Sequence, residues 1–315
     1  AIAIGRRDLG FGHPALRLPE KQAAAAAGMV RLAQAYQEAL GRYGLTMGLV
    51  LLTLDDSEHR RRYINARNTL TTLLRVGAIP LINENDTVAT DEIRFGDNDR
   101  LSARVAAMVS ADTLVLLSDI DGLYTADPHK DPAATLIPEV RGITPQIEAL
   151  AGAALPGYGT GGMVTKLAAA KIAIAAGCGM VIADGKPPHA LTRIDAGAPC
   201  TWFVPSASPQ TARKRWIGGS LKPFGALTVD EGAARALAAG GSLLPAGVVR
   251  VEGAFSRGDA VVVKTQDGCE LGRGLCAYSA AEIRLIMGRK SGEIDACLGY
   301  RGRDEVIHRD DLVLG

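Results

Sequence analysis

Two stretches of this 315-residue chain combine residue types that could carry out chemistry. The first, the acidic stretch from Asn83 to Asp99, holds six carboxylates and three asparagines beside one arginine. It follows an apolar run at residues 78–82 that is typical of a buried strand. Open α/β sheets bind ligands at the carboxyl ends of their parallel strands. The acidic stretch is therefore a candidate pocket for a charged, hydrogen-bonding small molecule. The alternative interpretation is a solvated acidic loop.

The second stretch is the glycine-rich segment at residues 157–166, Gly-Tyr-Gly-Thr-Gly-Gly-Met-Val-Thr-Lys, which leads directly into a predicted helix. Glycines let backbone N–H groups approach an anion, and a helix N-terminus adds oriented donors and positive potential. Lys166 would lie in the first helical turn, within reach of a phosphoryl oxygen. The spacing differs from that of the G-x-x-x-x-G-K-[ST] phosphate loop. A flexible loop is the alternative, and the adjacent Thr165 and Lys166 argue against it.

The periodicity of apolar residues predicts the elements that position these stretches. Predicted strands lie at residues 47–54, 78–82, 113–117 and 180–183, and predicted helices at 20–41, 57–75, 99–110, 144–152 and 163–176. Ser57 is the predicted N-cap of the second helix. Strands that alternate with helices predict an α/β fold, a three-layer sandwich in which a mainly parallel sheet is covered on both faces.

Composition excludes several classes of protein. The net charge of +1 at pH 7 gives no long-range field that would steer nucleic acid or an anionic membrane to the chain. No apolar run approaches the roughly 18 residues of a membrane span, so we expect no contact with a membrane. The five cysteines are odd in number and include no C-x-x-C pair. This usage predicts a reducing compartment and a cytoplasmic protein.

A change in composition near residues 203–222 predicts a domain boundary. Beyond it the chain shows short strand patterns separated by glycines, as in a small β-rich barrel. We expect a first domain at residues 1–205, a linker at 206–221 and a second domain at 222–315. From Lys222 onward twelve lysines and arginines face thirteen acidic residues, so this domain lacks the basic excess of a nucleic-acid binder.

Four segments of the first domain follow one another in order: Asn83–Asp86, Gly96–Asp99, Gly122–Pro128 and Gly159–Lys166. Taken together, they resemble the amino acid kinase family, and in particular those members that phosphorylate glutamate. Four segments toward the C-terminus resemble the PUA domain that is appended to the bacterial enzymes. These are Arg213–Trp216, Thr228–Ala233, Phe255–Gly258 and His308–Asp311.

The resemblance implies the amino acid kinase fold and the phosphorylation of the γ-carboxylate of L-glutamate by ATP with Mg²⁺, the first step of proline synthesis. It also implies feedback inhibition by proline and assembly into a homodimer or homotetramer. Two alternatives remain open. One is a member of the same family with a different acceptor, and the other is an RNA-binding protein that acts through its C-terminal domain.

The resemblance assigns roles to particular residues. Asn83, Asp86 and Asn98 would bind glutamate, Lys166 would stabilise the transferred phosphoryl group, and Asp99 would orient that lysine. The residues implied for ATP are Ser118, Asp119, Thr160, Gly161, Gly162, Met163, Val164, Thr165 and Lys166, and no side chain is implied as a metal ligand.

The chain departs from the family pattern at three places. Ser118 stands where many members have threonine and keeps the hydroxyl. Arg94 stands where lysine is common, a change expected to alter control by proline. The family's N-terminal Lys-x-Gly-(Ser/Thr) motif, which supplies another phosphate-binding lysine, is absent. So is a Ser-Gly pair of the substrate site that should precede Ala1. Ala1–Gly5 therefore reads as following a missing first strand. If the chain as given is the whole molecule, we expect little or no kinase activity, whereas an enzyme that also carries the preceding residues is expected to be complete.

Overall fold

The computed structural model describes residues 1–12, 15–88, 98–128, 130–151, 162–219 and 223–314. The chain divides into two compact units, Ala1–Ser206 and Ala207–Gly315. None of the described helices has the length and apolar character needed to cross a bilayer.

The first unit alternates helices and strands, as the periodicity predicted. Its elements are α1 (Ile2–Asp8), α2 (Leu18–Gly41), β1 (Met47–Leu52), α3 (Leu54–Glu58), α4 (Arg60–Arg75), β2 (Ile79–Glu84), α5 (Asn98–Val109), β3 (Thr113–Ser118), β4 (Glu139–Val140), α6 (Pro145–Leu150), α7 (Met163–Ala175), β5 (Gly179–Asp184), α8 (Ala190–Asp195) and β6 (Cys200–Phe203).

The described strands of this unit form two sheets where the sequence suggested one. β1 pairs with β2, and a second sheet has the strand order β3-β5-β6-β4. The pairings are parallel, as predicted, except for that between β5 and β6. In the parallel registers Leu52 lies opposite Glu84, and Ser118 lies opposite Asp184. The carboxyl ends of paired strands are therefore level with each other, and polar residues follow them.

Small side chains let the helices of this unit pack closely. A Cβ added to Gly5 of α1 would lie 1.8 Å from the Ala24 carbonyl oxygen of α2, and one added to Gly28 would lie 2.0 Å from the Ala1 carbonyl oxygen. Ala24 and Ala25 are buried at this contact. The main core of the unit lies between α5, α7 and β5, where Met180 is fully buried.

The predicted N-cap at Ser57 is wrong. Thr53 caps the helix instead: its Oγ1 accepts the Asp56 N–H at 3.3 Å, and Asp56 Oδ2 accepts the Thr53 N–H at 2.7 Å. This reciprocal capping box begins the short helix α3 directly after β1. Ser57 lies within α3 and donates to the Leu54 carbonyl at 2.6 Å. The longer helix starts only at Arg60, after an extended residue at His59.

The second unit is β-rich, as predicted. Its elements are α9 (Pro209–Gly219), β7 (Gly225–Val229), α10 (Glu231–Ala238), β8 (Val248–Gly253), β9 (Ala260–Lys264), β10 (Glu270–Leu275), α11 (Ala280–Ile286), α12 (Ile294–Leu298) and β11 (Leu312–Leu314). The five strands form one sheet in the order β11-β10-β9-β7-β8, in which β7 and β9 are parallel and the other pairs antiparallel. Leu227, Val263 and Ile283 lie fully buried in its core.

Helix α9 occupies most of the residues that the sequence analysis assigned to a linker. Its Ile217 is fully buried against Ala260 and Leu275. Its Arg213 binds Asp311, with Nε 3.2 Å from Oδ1, and both side chains are about nine-tenths buried. In the structure these residues belong to the second unit.

Candidate active site

The acidic stretch and the glycine-rich segment meet at an ion pair. Lys166 Nζ lies 3.1 Å from Asp99 Oδ2. Only 11% of the lysine side chain and 20% of the aspartate side chain are exposed. Thr165 Oγ1 lies 2.9 Å from the same carboxylate oxygen and 2.8 Å from the Gly162 carbonyl oxygen. A charge shielded to this degree is destabilising without a partner, so the pair fixes the lysine ammonium at a defined place.

The first turns of two helices supply this pair. Asp99 is the second residue of α5, and Lys166 is the fourth residue of α7. Gly162 is the N-cap of α7, and its carbonyl accepts the N–H groups of Thr165 and Lys166 at 3.0 and 3.4 Å. The first N–H groups of a helix have no partner within it. The start of α7 thus combines backbone donors, a positive helix end and a lysine, an arrangement suited to a phosphoryl group.

Alanines hold α5 and α7 together. Ala103 of α5 and Ala169 and Ala170 of α7 are fully buried in the shared core. Small residues on facing helices allow a close approach of the backbones, and the side chains of the two first turns can then meet.

Arg104 joins α5 to α3 and is a site residue that the sequence did not predict. Its Nη1 donates to Ser57 Oγ at 2.5 Å, and its Nη2 donates to Glu58 Oε1 at 2.9 Å. The arginine therefore fixes the helix that carries Asp99 against the helix that follows β1. A single arginine in a helix gives no signal in sequence, since most such residues face solvent.

The residues predicted to bind glutamate lie at the end of β2 and at the start of α5. Asn83 is the penultimate residue of strand β2, and Asp86 lies two residues beyond the end of that strand. Burial raises the pKa of the Asp86 carboxyl, and a hydrogen bond from the Asn83 side chain acts in the opposite direction. Asn98 opens α5 directly before Asp99. Arg94 lies outside the described residues.

The residues predicted to bind ATP fall into two groups. Ser118 ends β3, and its Oγ donates to Asp119 Oδ1 at 3.2 Å. The other group consists of Gly162, which caps α7, and of Met163, Val164, Thr165 and Lys166, which form its first turn. Thr160 and Gly161 lie outside the described residues.

The segment Gly122–Pro128 makes contacts that stabilise the local structure. A Cβ on Gly122 would lie 2.4 Å from Thr201 Oγ1. That hydroxyl accepts the Leu123 N–H at 2.8 Å and donates to the Ile137 carbonyl at 2.7 Å. Nearby, Asp121 accepts the Tyr124 hydroxyl at 3.0 Å. Asp121 therefore supports the local turn rather than a ligand.

Lys186 is a further polar residue at this edge of the sheet that the sequence analysis missed. It lies two residues beyond the end of β5, and its Nζ donates to the Asp119 carbonyl at 3.0 Å. The only signal for it in the sequence is its place after a predicted strand. Its partner becomes evident only from the parallel register of β3 and β5.

The fold and the site together define a phosphotransferase of the amino acid kinase class, and comparison with known proteins agrees. Residues 6–184 match the amino acid kinase family, and residues 225–298 match the PUA domain. The chain is 66% identical to the glutamate 5-kinase of Paramagnetospirillum magneticum over 314 residues, which cover the whole chain and 85% of that enzyme. It is 63% identical to the glutamate 5-kinase of Rhodospirillum rubrum and 59% identical to that of Agrobacterium fabrum, with 84% and 81% of those enzymes covered. The chain belongs to the glutamate 5-kinases of the amino acid kinase family.

Proposed function

We propose that this protein transfers the terminal phosphoryl group of ATP to the γ-carboxylate of L-glutamate, forming glutamyl 5-phosphate in the first step of proline synthesis. The observation that carries the proposal is the ion pair between Lys166 and Asp99, 3.1 Å apart. It joins the stretch expected to hold an amino acid to the helix start expected to hold a phosphate. The proposal assigns catalysis to the first unit.

The chemistry requires neutralisation of charge more than covalent help, because both the donor and the acceptor of the phosphoryl group are anionic oxygens. Lys166 supplies a fixed positive charge at the start of α7, where the backbone donors also point outward. Asp99 and Thr165 hold its ammonium group in place, so little reorganisation is needed as charge moves to the leaving oxygen.

The acceptor half of the site requires groups that recognise an amino acid. The Asp86 carboxylate suits an α-ammonium group, and the carboxamides of Asn83 and Asn98 suit carboxylate and carbonyl oxygens. The site would place the γ-carboxylate of glutamate toward Lys166. Proline, which shares the α-carboxylate and a cationic nitrogen, is the proposed feedback inhibitor at or beside this pocket.

We assign the donor half of the site to Ser118, Asp119 and the start of α7. Thr160 and Gly161 of the glycine-rich segment belong to the same assignment and lie outside the described residues. Mg²⁺ would enter with the nucleotide and neutralise its phosphate oxygens. Within the described residues there is no group of three or more histidine, cysteine or carboxylate ligands. A cation held mainly by phosphate oxygens and water fits such a site, because Mg²⁺ usually takes only one or two protein carboxylates.

We also propose that the protein is cytoplasmic and forms a homodimer or homotetramer. The PUA domain would support or regulate the kinase domain. The second candidate function, RNA binding through the PUA domain, is favoured by the match to that domain over residues 225–298. The net charge of −1 from Lys222 onward argues against RNA binding, because a nucleic-acid binder needs an excess of basic residues.

A substrate panel tests the proposed acceptor. ADP release from ATP and Mg²⁺ is measured with L-glutamate, L-aspartate, L-glutamine, carbamate and UMP at equal concentrations. We expect release with L-glutamate to exceed release with each of the others by at least about 100-fold, since a site that hydrogen-bonds a carboxylate rejects analogues that leave its polar groups unpaired. Preference for any other acceptor would assign the protein to a different reaction.

A further inference from the structure

Lys166 and Lys186 lie at the same edge of the sheet that contains β3 and β5. Helix α7 ends at Ala175 and packs against β5, which begins only a few residues later at Gly179. The two elements must therefore run in opposite directions. A 13-residue helix and a 6-residue strand are each about 20 Å long. The first turn of α7 is thus level with the carboxyl end of β5, which Lys186 follows.

The backbone that carries Lys186 is held on both sides. The Gly185 N–H donates to the Ser118 carbonyl at 2.8 Å, and the Lys186 N–H donates to Asp184 Oδ1 at 2.9 Å. A Cβ added to Gly185 would lie 2.9 Å from Leu117 Cβ, so the turn is packed directly on β3. Two prolines follow Lys186 and restrict the chain beyond it.

The side chain of Lys186 is directed at the predicted nucleotide segment. Its Nζ donates one hydrogen to the Asp119 carbonyl at 3.0 Å. A lysine ammonium has three hydrogens, so two donors and the full charge are available to a ligand. Lys186 is exposed, and in the described part of the chain it forms no salt bridge. The carbonyl thus orients the ammonium without neutralising it.

We infer that Lys186 is a second phosphate-binding lysine, whose ammonium group contacts the phosphate chain of the nucleotide while Lys166 acts on the transferred group. The inference rests on the proposed function. A nucleoside triphosphate carries several negative charges, and Lys166 is already paired with Asp99. The Lys186 ammonium, which is hydrogen-bonded to the uncharged Asp119 carbonyl, supplies a net positive charge. The Lys166–Asp99 ion pair supplies none.

The test measures nucleotide binding directly, by calorimetric titration of the purified protein with ADP and with adenosine. Loss of one charge-assisted hydrogen bond corresponds to about a tenfold weaker affinity. We expect Lys186→Met to weaken the affinity for ADP about tenfold and to leave the affinity for adenosine unchanged. Lys186→Arg should retain most of the affinity for ADP. In the kinase assay Lys186→Met should raise the KM for ATP with little change in the KM for glutamate.

The matched control is Lys171→Met, which removes an exposed lysine of α7 that pairs with Glu148. It should leave ADP affinity unchanged. Equal ADP affinity of the Lys186→Met and unaltered proteins would overturn the inference. An equal loss of affinity for ADP and for adenosine would also overturn it, because the contact would then be to the nucleoside. If the unaltered protein bound no ADP at all, the proposed function itself would fail, so the two failures are distinguishable.

Discussion

Asp99 and Lys166 lie 67 residues apart in the chain, and Asp99 Oδ2 is 3.1 Å from Lys166 Nζ. The contact brings the last residue of the acidic stretch to the end of the glycine-rich segment. A phosphoryl group could pass between a pocket lined by the first and a cradle formed by the second only if the two are adjacent. Helices α5 and α7 achieve this through their alanine contact.

Replacement of Lys166 by methionine should reduce kcat by about 10²–10³-fold, because a preorganised charge at the transferred group is lost. The KM for glutamate should change little. Steady-state kinetics of Lys166→Met and of the Lys171→Met control check this. A variant that keeps kcat within a factor of three of the unaltered enzyme would remove Lys166 from the chemistry.

Asp99 should act through Lys166, so its effect should not add to that of the lysine. Asp99→Asn keeps the shape of the side chain and one acceptor oxygen but removes the charge. We expect it to lower kcat by about tenfold, which corresponds to roughly 1.4 kcal/mol. The double variant with Lys166→Met should be no slower than Lys166→Met alone, as in residues that work as a unit. Multiplicative losses would indicate that Asp99 contributes independently of the lysine.

Asp86→Asn should weaken glutamate binding and increase the stability of the folded protein. The KM for glutamate should rise by about tenfold or more, because the α-ammonium group loses its anionic partner. Burial raises the pKa of Asp86 above the ordinary aspartate value. The folded protein therefore binds the proton more tightly than the unfolded chain, and stability falls as pH rises through that pKa.

The Asp86→Asn variant should accordingly have a higher Tm than the unaltered protein at pH 7. That advantage should shrink as pH falls toward and below the aspartate range, where both states carry the proton. Thermal melts between pH 4 and pH 8 check the sign. A lower Tm for the variant at pH 7 would contradict the assignment of burial as the dominant effect on this carboxyl.

Arg213→Met should destabilise the second unit. The change leaves Asp311, whose side chain is 8% exposed, without its closest cation. Loss of one member of a buried pair costs about 3–5 kcal/mol, and Arg303, 3.8 Å from the other carboxylate oxygen, should reduce that loss. Urea unfolding monitored by circular dichroism measures it. The exposed neighbour provides the control, Lys214→Met, which should be neutral. Equal stability of the two variants would mean that α9 does not support the unit.

Much of the first unit could be predicted from the sequence, because apolar periodicity reports on burial directly. The strands before the acidic stretch and before Ser118 follow from it, as does the helix that begins after the glycine-rich segment. The boundary errors have local causes. Ser57 fits an N-cap pattern, but Thr53 lies closer to the strand and has Asp56 three residues later to complete a capping box.

The predicted linker was wrong for a similar reason, because its residues fit both a linker and the start of a helix. Ser208 and Pro209 are typical of a linker, yet they are also an N-cap and a first helical residue. In the structure Ser208 Oγ accepts the Thr211 N–H at 3.2 Å, and α9 begins at Pro209. The buried face that decides between the readings, at Ile217, depends on strands later in the chain.

The contacts of Lys186 and Arg104 were beyond sequence reasoning for a different reason. Each depends on elements that are distant in the chain: Lys186 reaches a carbonyl 67 residues away, and Arg104 a hydroxyl 47 residues away. The register of β3 with β5 and the packing of α5 beside α3 create these contacts. Neither residue has a distinctive neighbour pattern in the sequence.

Capture of the acyl phosphate would show directly whether the protein phosphorylates the γ-carboxylate of glutamate. The protein is incubated with ATP, Mg²⁺, L-glutamate and hydroxylamine, which displaces phosphate from an acyl phosphate. The product is a hydroxamate that forms a coloured complex with ferric iron. We expect formation of γ-glutamyl hydroxamate that requires ATP and glutamate and that falls by at least about 100-fold in Lys166→Met. ATP consumption without hydroxamate, or equal hydroxamate from the variant, would contradict it.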